Sequence, residues 1–404
     1  MSAQPSARPH KTQLTFHMKS TSSNSAGRTL AVLHPVFALT GILHVVGGPL
    51  LPSLASTFHL SDTQSGSLFL FYFAGTSLGA LLCTRNYARL IAFGFLGVTA
   101  TCLGVAASNH ALLPGLFLLL GICVGVPMSA ISMLAGQKFA AQSAAPLTFL
   151  NFSWSAGALM APLLAARLLS NHTYRAAYAA LAVAAALAAV ACWLTIEEPP
   201  QGAPSVPQPL GMPNLLFIAL FSFLTFLEVG IENTTASWLA TYALRSSGSG
   251  AAVAAASSSL YWFGFLASRG FSSLLLLRVE PMLVLRFATG AALLATVLLL
   301  GVPGSSGHGL AMFLLGASLA PIFPLLLARF FARSRRTSDS RWVLAVCGFG
   351  GSVLPWLPGL ISARSGSLRM GLLTVPAALL LMVCMLPALG GKRPVINVSA
   401  PEGS

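Results

Sequence analysis

The chain has 404 residues, of which 55% are hydrophobic and only 7% charged, with a net charge of +14. Soluble domains carry about 25% charged residues, so a water-soluble fold is excluded and the chain reads as an all-α polytopic membrane protein. It accommodates about twelve helical spans of roughly 20 residues each. These are expected over 30–56, 64–84, 87–108, 111–136, 147–169, 174–196, 214–243, 251–277, 281–302, 308–331, 341–363 and 369–390.

Residues 1–29 are polar and basic and lack the apolar core of a cleavable signal, so they read as a disordered cytoplasmic tail. The first span follows, with His44 just before Gly47 and Gly48, where the helix is expected to loosen. His44 could relay protons near neutral pH or hydrogen-bond a solute; a lone histidine also serves as a packing residue. Tyr72 in the second span is a candidate for a binding-site wall or an interfacial anchor. Gln137, near the cytoplasmic end of the fourth span, is a candidate solute ligand or a helix cap. On the fifth span Asn151 and Trp154 stand three apart and can share a face.

The stretch 197–213 is rich in Pro and Gly and holds no Lys or Arg after its opening glutamates, so it reads as a linker between a first half, 30–196, and a second half, 214–390. The seventh span contains "FLEVGIENTTASWLATY", with Glu228, Glu232, Asn233, Ser237 and Trp238. The eighth span brings Tyr261, Trp262 and, toward its inner end, Arg269, a candidate gate residue. A basic loop, "ARFFARSRRTSDSR", follows the tenth span, and residues 391–404 form a second tail.

The positive charge is placed asymmetrically. With the N-terminus inside, Lys and Arg lie in cytoplasmic segments, with the exceptions of Arg167, Arg175, Arg245, Arg364 and Arg369. The positive-inside rule accounts for this skew. It needs no nucleic-acid partner, and it sets both termini in the cytoplasm of a multi-pass protein of the cell (inner) membrane. The six cysteines fall within spans or at their ends and have no metal-ligand spacing. No Walker sequence or nucleophilic triad appears, so no cofactor, metal or enzymatic reaction is expected.

Glu228 and Glu232 are the two acids inside a span; Asp62, Glu197, Glu198, Glu280, Asp339 and Glu402 fall in loops or tails. Positions four apart share a helix face. A carboxylate at the bilayer centre costs roughly 2.5–3.5 kcal/mol on insertion scales, so such residues are functional candidates. Three readings stand: proton coupling, with the pair titrating as one unit; hydrogen bonding to solute hydroxyls by Glu232 and Asn233; or a structural pairing, with Arg269 as partner. A small polar solute needs a few polar groups and flat apolar walls. Asn151, Asn233, Ser237 and Gln137 supply the first, and Trp154, Trp238, Trp262, Tyr72 and Tyr261 the second.

The halves echo each other. "YFAGTSLGALL" from Tyr72 aligns with "YWFGFLASRGF" from Tyr261; Gly157 aligns with Gly350, Pro162 with Pro355 and Arg175 with Arg369. The repeat keeps its order and orientation. Two parallel six-helix halves resemble the plan of the major facilitator superfamily, with a midplane site between halves that rock about it. Further pieces resemble the fucose-permease-like sugar transporters of that superfamily. They are "GGPLLPSLASTF", "LNFSWSAGALMAP", "VGIENTTASWLATYAL", "APIFP", "GFGGSVLPWLPGLIS" and "GSLRMGL". This resemblance implies a sugar:cation symporter, usually proton-driven, and gives Asn151 and Glu232 particular weight. The chain departs from the family in lacking carboxylates in the first and fourth spans, where "GILHVVGGPLLP" and "GICVGVPMSAIS" stand. Its "CTRNYARL" loop also lacks the superfamily's Asp. The expectation is a monomeric secondary transporter of a small polar solute, most readily a sugar, coupled to protons. An exporter of drugs or metabolites and an uncoupled facilitator are the alternatives.

Overall fold

The computed structural model describes residues 17–138, 145–171, 173–196, 215–301, 305–333 and 337–390. The linker and the C-terminal tail, 391–404, lie outside them, as do residues 1–16. The described chain is helical throughout. The first half is built of α1 (His17–Val45), α2 (Gly47–Phe58), α3 (Asp62–Leu81), α4 (Tyr87–Ala107), α5 (Leu113–Lys138), α6 (Ala145–Asn171) and α7 (Tyr174–Thr195). The second half contains α8 (Leu215–Ser247), α9 (Ala251–Leu275), α10 (Pro281–Gly301), α11 (Ser305–Leu319), α12 (Ile322–Arg333), α13 (Thr337–Ser365), α14 (Leu368–Leu372) and α15 (Thr374–Met385). Hydrocarbon offers the backbone no hydrogen bonds, so each crossing segment satisfies its own as helix. Eleven helical segments are long and apolar enough to cross a membrane, which makes the chain a multi-pass integral membrane protein. The second expected span, α3, is more polar and packs inside the bundle against α5 and α13.

The helices depart from the expected spans at three places. Helix α1 begins at His17, upstream of the expected start at residue 30. The first span divides at Val46, where Pro49 in the first turn of α2 has no N–H to return to the preceding turn. The tenth span divides between α11 and α12, at Ala320–Pro321. Tyr72 Oη donates to the Leu43 carbonyl (2.9 Å) beside the first of these breaks. In α13, Pro355 deprives the Gly351 carbonyl of its helical donor, and Asn233 Nδ2 supplies one from α8 (3.2 Å). Trp238 Nε1 donates to the Pro355 carbonyl (2.8 Å) and the ring is fully buried.

Glycines allow the helices to touch. A Cβ at Gly75 or Gly79 of α3 would meet backbone oxygens of α5, and one at Gly121 or Gly125 of α5 would meet those of α3. This is the close small-residue crossing of membrane helices. The second half repeats it, with Gly264 of α9 and Gly316 of α11. Between the halves, α3 packs on α13, α6 on α9, and α2 on α8 and α9.

Candidate functional site

The halves meet at a polar centre walled by aromatic rings. His44, at the break between α1 and α2, faces Asn233 of α8. It lines a small cavity with Tyr72, Phe73, Asn233, Ser237 and Trp262. The cavity measures about 20 Å³, room for about one water. The rings continue inward. His44 lies 5.6 Å from Trp154, and Trp154 lies 6.0 Å from Trp262 across the halves. The Arg269 guanidinium carbon is 5.9 Å from the Trp154 ring and 4.6 Å from that of Phe265. Arg269 Nη1 also donates to Ser155 Oγ of α6 (2.8 Å). Trp154 therefore separates the cavity from a charged cluster.

That cluster belongs to the second half. Glu228, Glu232 and Tyr261 all lie within electrostatic reach of Arg269. Glu228 is fully buried, and neither of its oxygens has a hydrogen-bond partner among the described residues. Tyr261 Oη, Trp154 Nε1 and His44 Nδ1 are buried and unpartnered as well. Native interiors leave few polar atoms unsatisfied, and these five atoms sit in one region. They include both acceptors and donors.

The other sequence candidates are distributed as follows. Glu232 is partly buried, and Asn233 is buried with its amide committed to Gly351. Trp238 is read above as a solute wall; its N–H is committed to α13, and it packs edge-on against Phe69 at 6.0 Å. Asn151 is exposed, one turn from Trp154. Gln137 lies in α5, with its side chain outside the described residues.

Sequence reasoning passed over one charged contact. Asp62, read as a peripheral loop acid, sits in the first turn of α3, oriented by a capping box in which Ser61 Oγ accepts from Gln64 N (3.2 Å) and Gln64 Oε1 accepts from Ser61 N (2.8 Å). Arg245 of α8 clamps it with two hydrogen bonds, at 2.7 and 2.5 Å, and Ser362 of α13 donates to it at 2.5 Å. The Arg245 hydrogen bond holds the Asp62 carboxyl below the usual carboxylate range. The available signal was Arg245 itself, one of the few arginines that fall outside the strongly basic segments of the chain.

Comparison with known proteins agrees with this architecture. The chain is 28% identical over 159 residues to the sodium-dependent glucose transporter 1 of Rattus norvegicus, a match covering 37% of this chain and 33% of that relative's length. The chain thus spans about a third of that relative. It is 22% identical over 366 residues to the glucose/mannose transporter GlcP of Bacillus subtilis (strain 168), covering 85% of this chain and 90% of the relative. The crystal structure of the E. coli fucose:proton symporter FucP superposes with a TM-score of 0.58 at 17% identity, over 90% of this chain and 99% of that one. The sequence profile of the Major Facilitator Superfamily matches residues 33–338. With that match running across both glycine-locked halves and the polar centre between them, the chain belongs to the Major Facilitator Superfamily.

Proposed function

We propose that the protein moves a sugar across the membrane by alternating access, driven by protons that bind the Glu228–Glu232 pair. The observation that carries this reading is Glu228: fully buried, with both oxygens unpartnered, beside Glu232 and within reach of a single guanidinium. An isolated buried charge is costly. Two carboxylates and Arg269 sum to one negative charge, and one proton cancels it. With solute bound, the protonated and neutral centre reorients through a low-dielectric interior, whereas solute bound without the proton leaves it charged and held back. This predicts one proton per transport cycle. Around the cavity beside Trp154, His44, Tyr72, Asn233 and Ser237 are rings and polar groups of the kind a sugar uses, and the water-sized cavity must widen to admit one. The names of the relatives, a glucose/mannose transporter and a fucose:proton symporter, point the same way. Both termini on the cytoplasmic face follow from the charge skew.

The test uses proteoliposomes holding a pH-sensitive dye. Neutral sugars such as glucose, mannose, galactose and fucose are added singly. Internal acidification that needs both the protein and one particular sugar supports the reading. Sugar uptake without acidification removes the proton from it, and no uptake across the panel removes the sugar. Glu232→Gln separates the roles of the pair. Loss of concentrative uptake with exchange intact makes Glu232 the proton carrier, whereas loss of both makes it a solute ligand.

A further inference from the structure

The second charged site stands at the end of the bundle opposite the basic loops. There Asp62 comes from α3 in the first half, and Arg245 and Ser362 come from α8 and α13 in the second. Arg245–Asp62 is an ion pair that bridges the two halves. Its geometry is the two-pronged fork that makes Arg–carboxylate contacts strong and directional. The carboxylate is largely shielded, its side chain 15% exposed, while Arg245 remains 46% exposed. Ser362 adds a third hydrogen bond to the same oxygen that Arg245 Nη1 reaches.

The backbone beneath is built for close approach. A Cβ at Gly359 of α13 would run into the Asp62 carbonyl, and one at Gly66 of α3 would stand 3.0 Å from the Trp356 carbonyl. A Cβ at Gly48 of α2 would meet the Ala236 carbonyl of α8. Phe69 and Ser237, which line the cavity, lie on α3 and α8 inward of the ion pair, and Gly48 lines it from α2. The contact between the halves thus runs from the cavity up to Asp62, and the ion pair closes its end.

We propose that Asp62, Arg245 and Ser362 form a latch that holds this face shut over the cavity, and that it must open for solute to pass on that side. Each half contributes one charge, so the pair exists only while the halves are together at this end. Its strength sets how often the cavity opens there, independently of which solute or ion is carried.

The test reads access directly and needs no solute, so it stands or falls separately from the sugar and proton reading. Val46, buried and lining the cavity, is replaced by cysteine, and its labelling by a membrane-impermeant thiol reagent is timed. The same protein with its native cysteines serves as background. Ser249→Cys in the α8–α9 turn marks the face to which reagent is added. Asp62→Asn and Arg245→Ala are each expected to speed labelling about tenfold, the population shift that follows from losing a charge-assisted pair. The swap Asp62→Arg with Arg245→Asp is expected to return the rate most of the way. Ser362→Ala, which keeps both charges, gives a smaller rise. Unchanged labelling in Asp62→Asn and Arg245→Ala overturns the latch. If those variants fail to insert, Ser362→Ala decides alone, and no rise there overturns it.

Discussion

In the first half, Gly121 of α5 lies under the carbonyl of Tyr72; in the second, Gly316 of α11 lies under that of Tyr261. Gly157 crosses Ala38 as Gly350 crosses Phe226. The same contacts recur about 190 residues apart, so the two halves solve helix packing in the same way. Their centres differ. The first half presents His44, Tyr72, Trp154 and Ser155; the second presents Glu228, Glu232, Tyr261 and Arg269. The first half builds its crossings with no carboxylate at the centre, so carboxylates are not needed to pack such a half. On the proposed reading, the charge in the second half serves the proton and the aromatic wall of the first half serves the solute.

The largest expected effect sharpens that division. A gradient of about two pH units carries about 2.7 kcal/mol per proton, enough for about hundredfold accumulation at one proton per solute. Glu228→Gln should erase this accumulation in vesicles while exchange of labelled for unlabelled solute continues. If accumulation survives, the charge asymmetry has no coupling role. Next in size is the packing pair. Gly121→Leu and Gly316→Leu should each destabilise the protein by about 1–3 kcal/mol, since each forces a side chain against backbone. Thermal unfolding in detergent should show similar losses for both. A large loss in one alone would break the symmetry of the scaffold.

His44→Gln is expected to weaken apparent solute affinity about tenfold, or about 1.4 kcal/mol, with the proton-to-solute ratio unchanged. A changed ratio would place coupling in the first half as well. The smallest effect concerns the latch. Because Arg245 depresses the Asp62 pKa in the closed state, the latch is fully formed above the ordinary carboxylate range and weakens only as pH falls through the depressed value. Labelling of Val46→Cys, divided by that of the exposed Ser249→Cys at the same pH to cancel the changing thiolate fraction, should stay flat from pH about 7.5 to about 5 and rise only below about 4. A rise near neutral pH would assign the control of this face to another group.

The repeat was legible because glycine at a helix crossing is a steric requirement, so Tyr72 with Tyr261 and Gly157 with Gly350 align in the sequence as they do in space. Glu228 and Glu232 were legible because an acid in an apolar run has no bland place to go. Trp238 misled. It reads as a flat wall for a solute, but its N–H serves a carbonyl of the proline-bearing helix α13, a partner 117 residues away. Asn233 has a similar commitment to the carbonyl freed by Pro355. The Asp62–Arg245 clamp joins residues 183 positions apart in different halves. No local spacing announces such a pair, and Asp62 at a helix start looks like an ordinary capping acid.

The most direct test of the central claim is the proton-to-solute ratio. Current is recorded from protein-containing membranes under opposed solute and proton gradients, and the reversal potential is found. A charge count of two carboxylates, one guanidinium and one proton predicts a ratio of one, with the current carried by that single proton for a neutral sugar. A ratio of two, or solute flux with no current at all, would contradict the account.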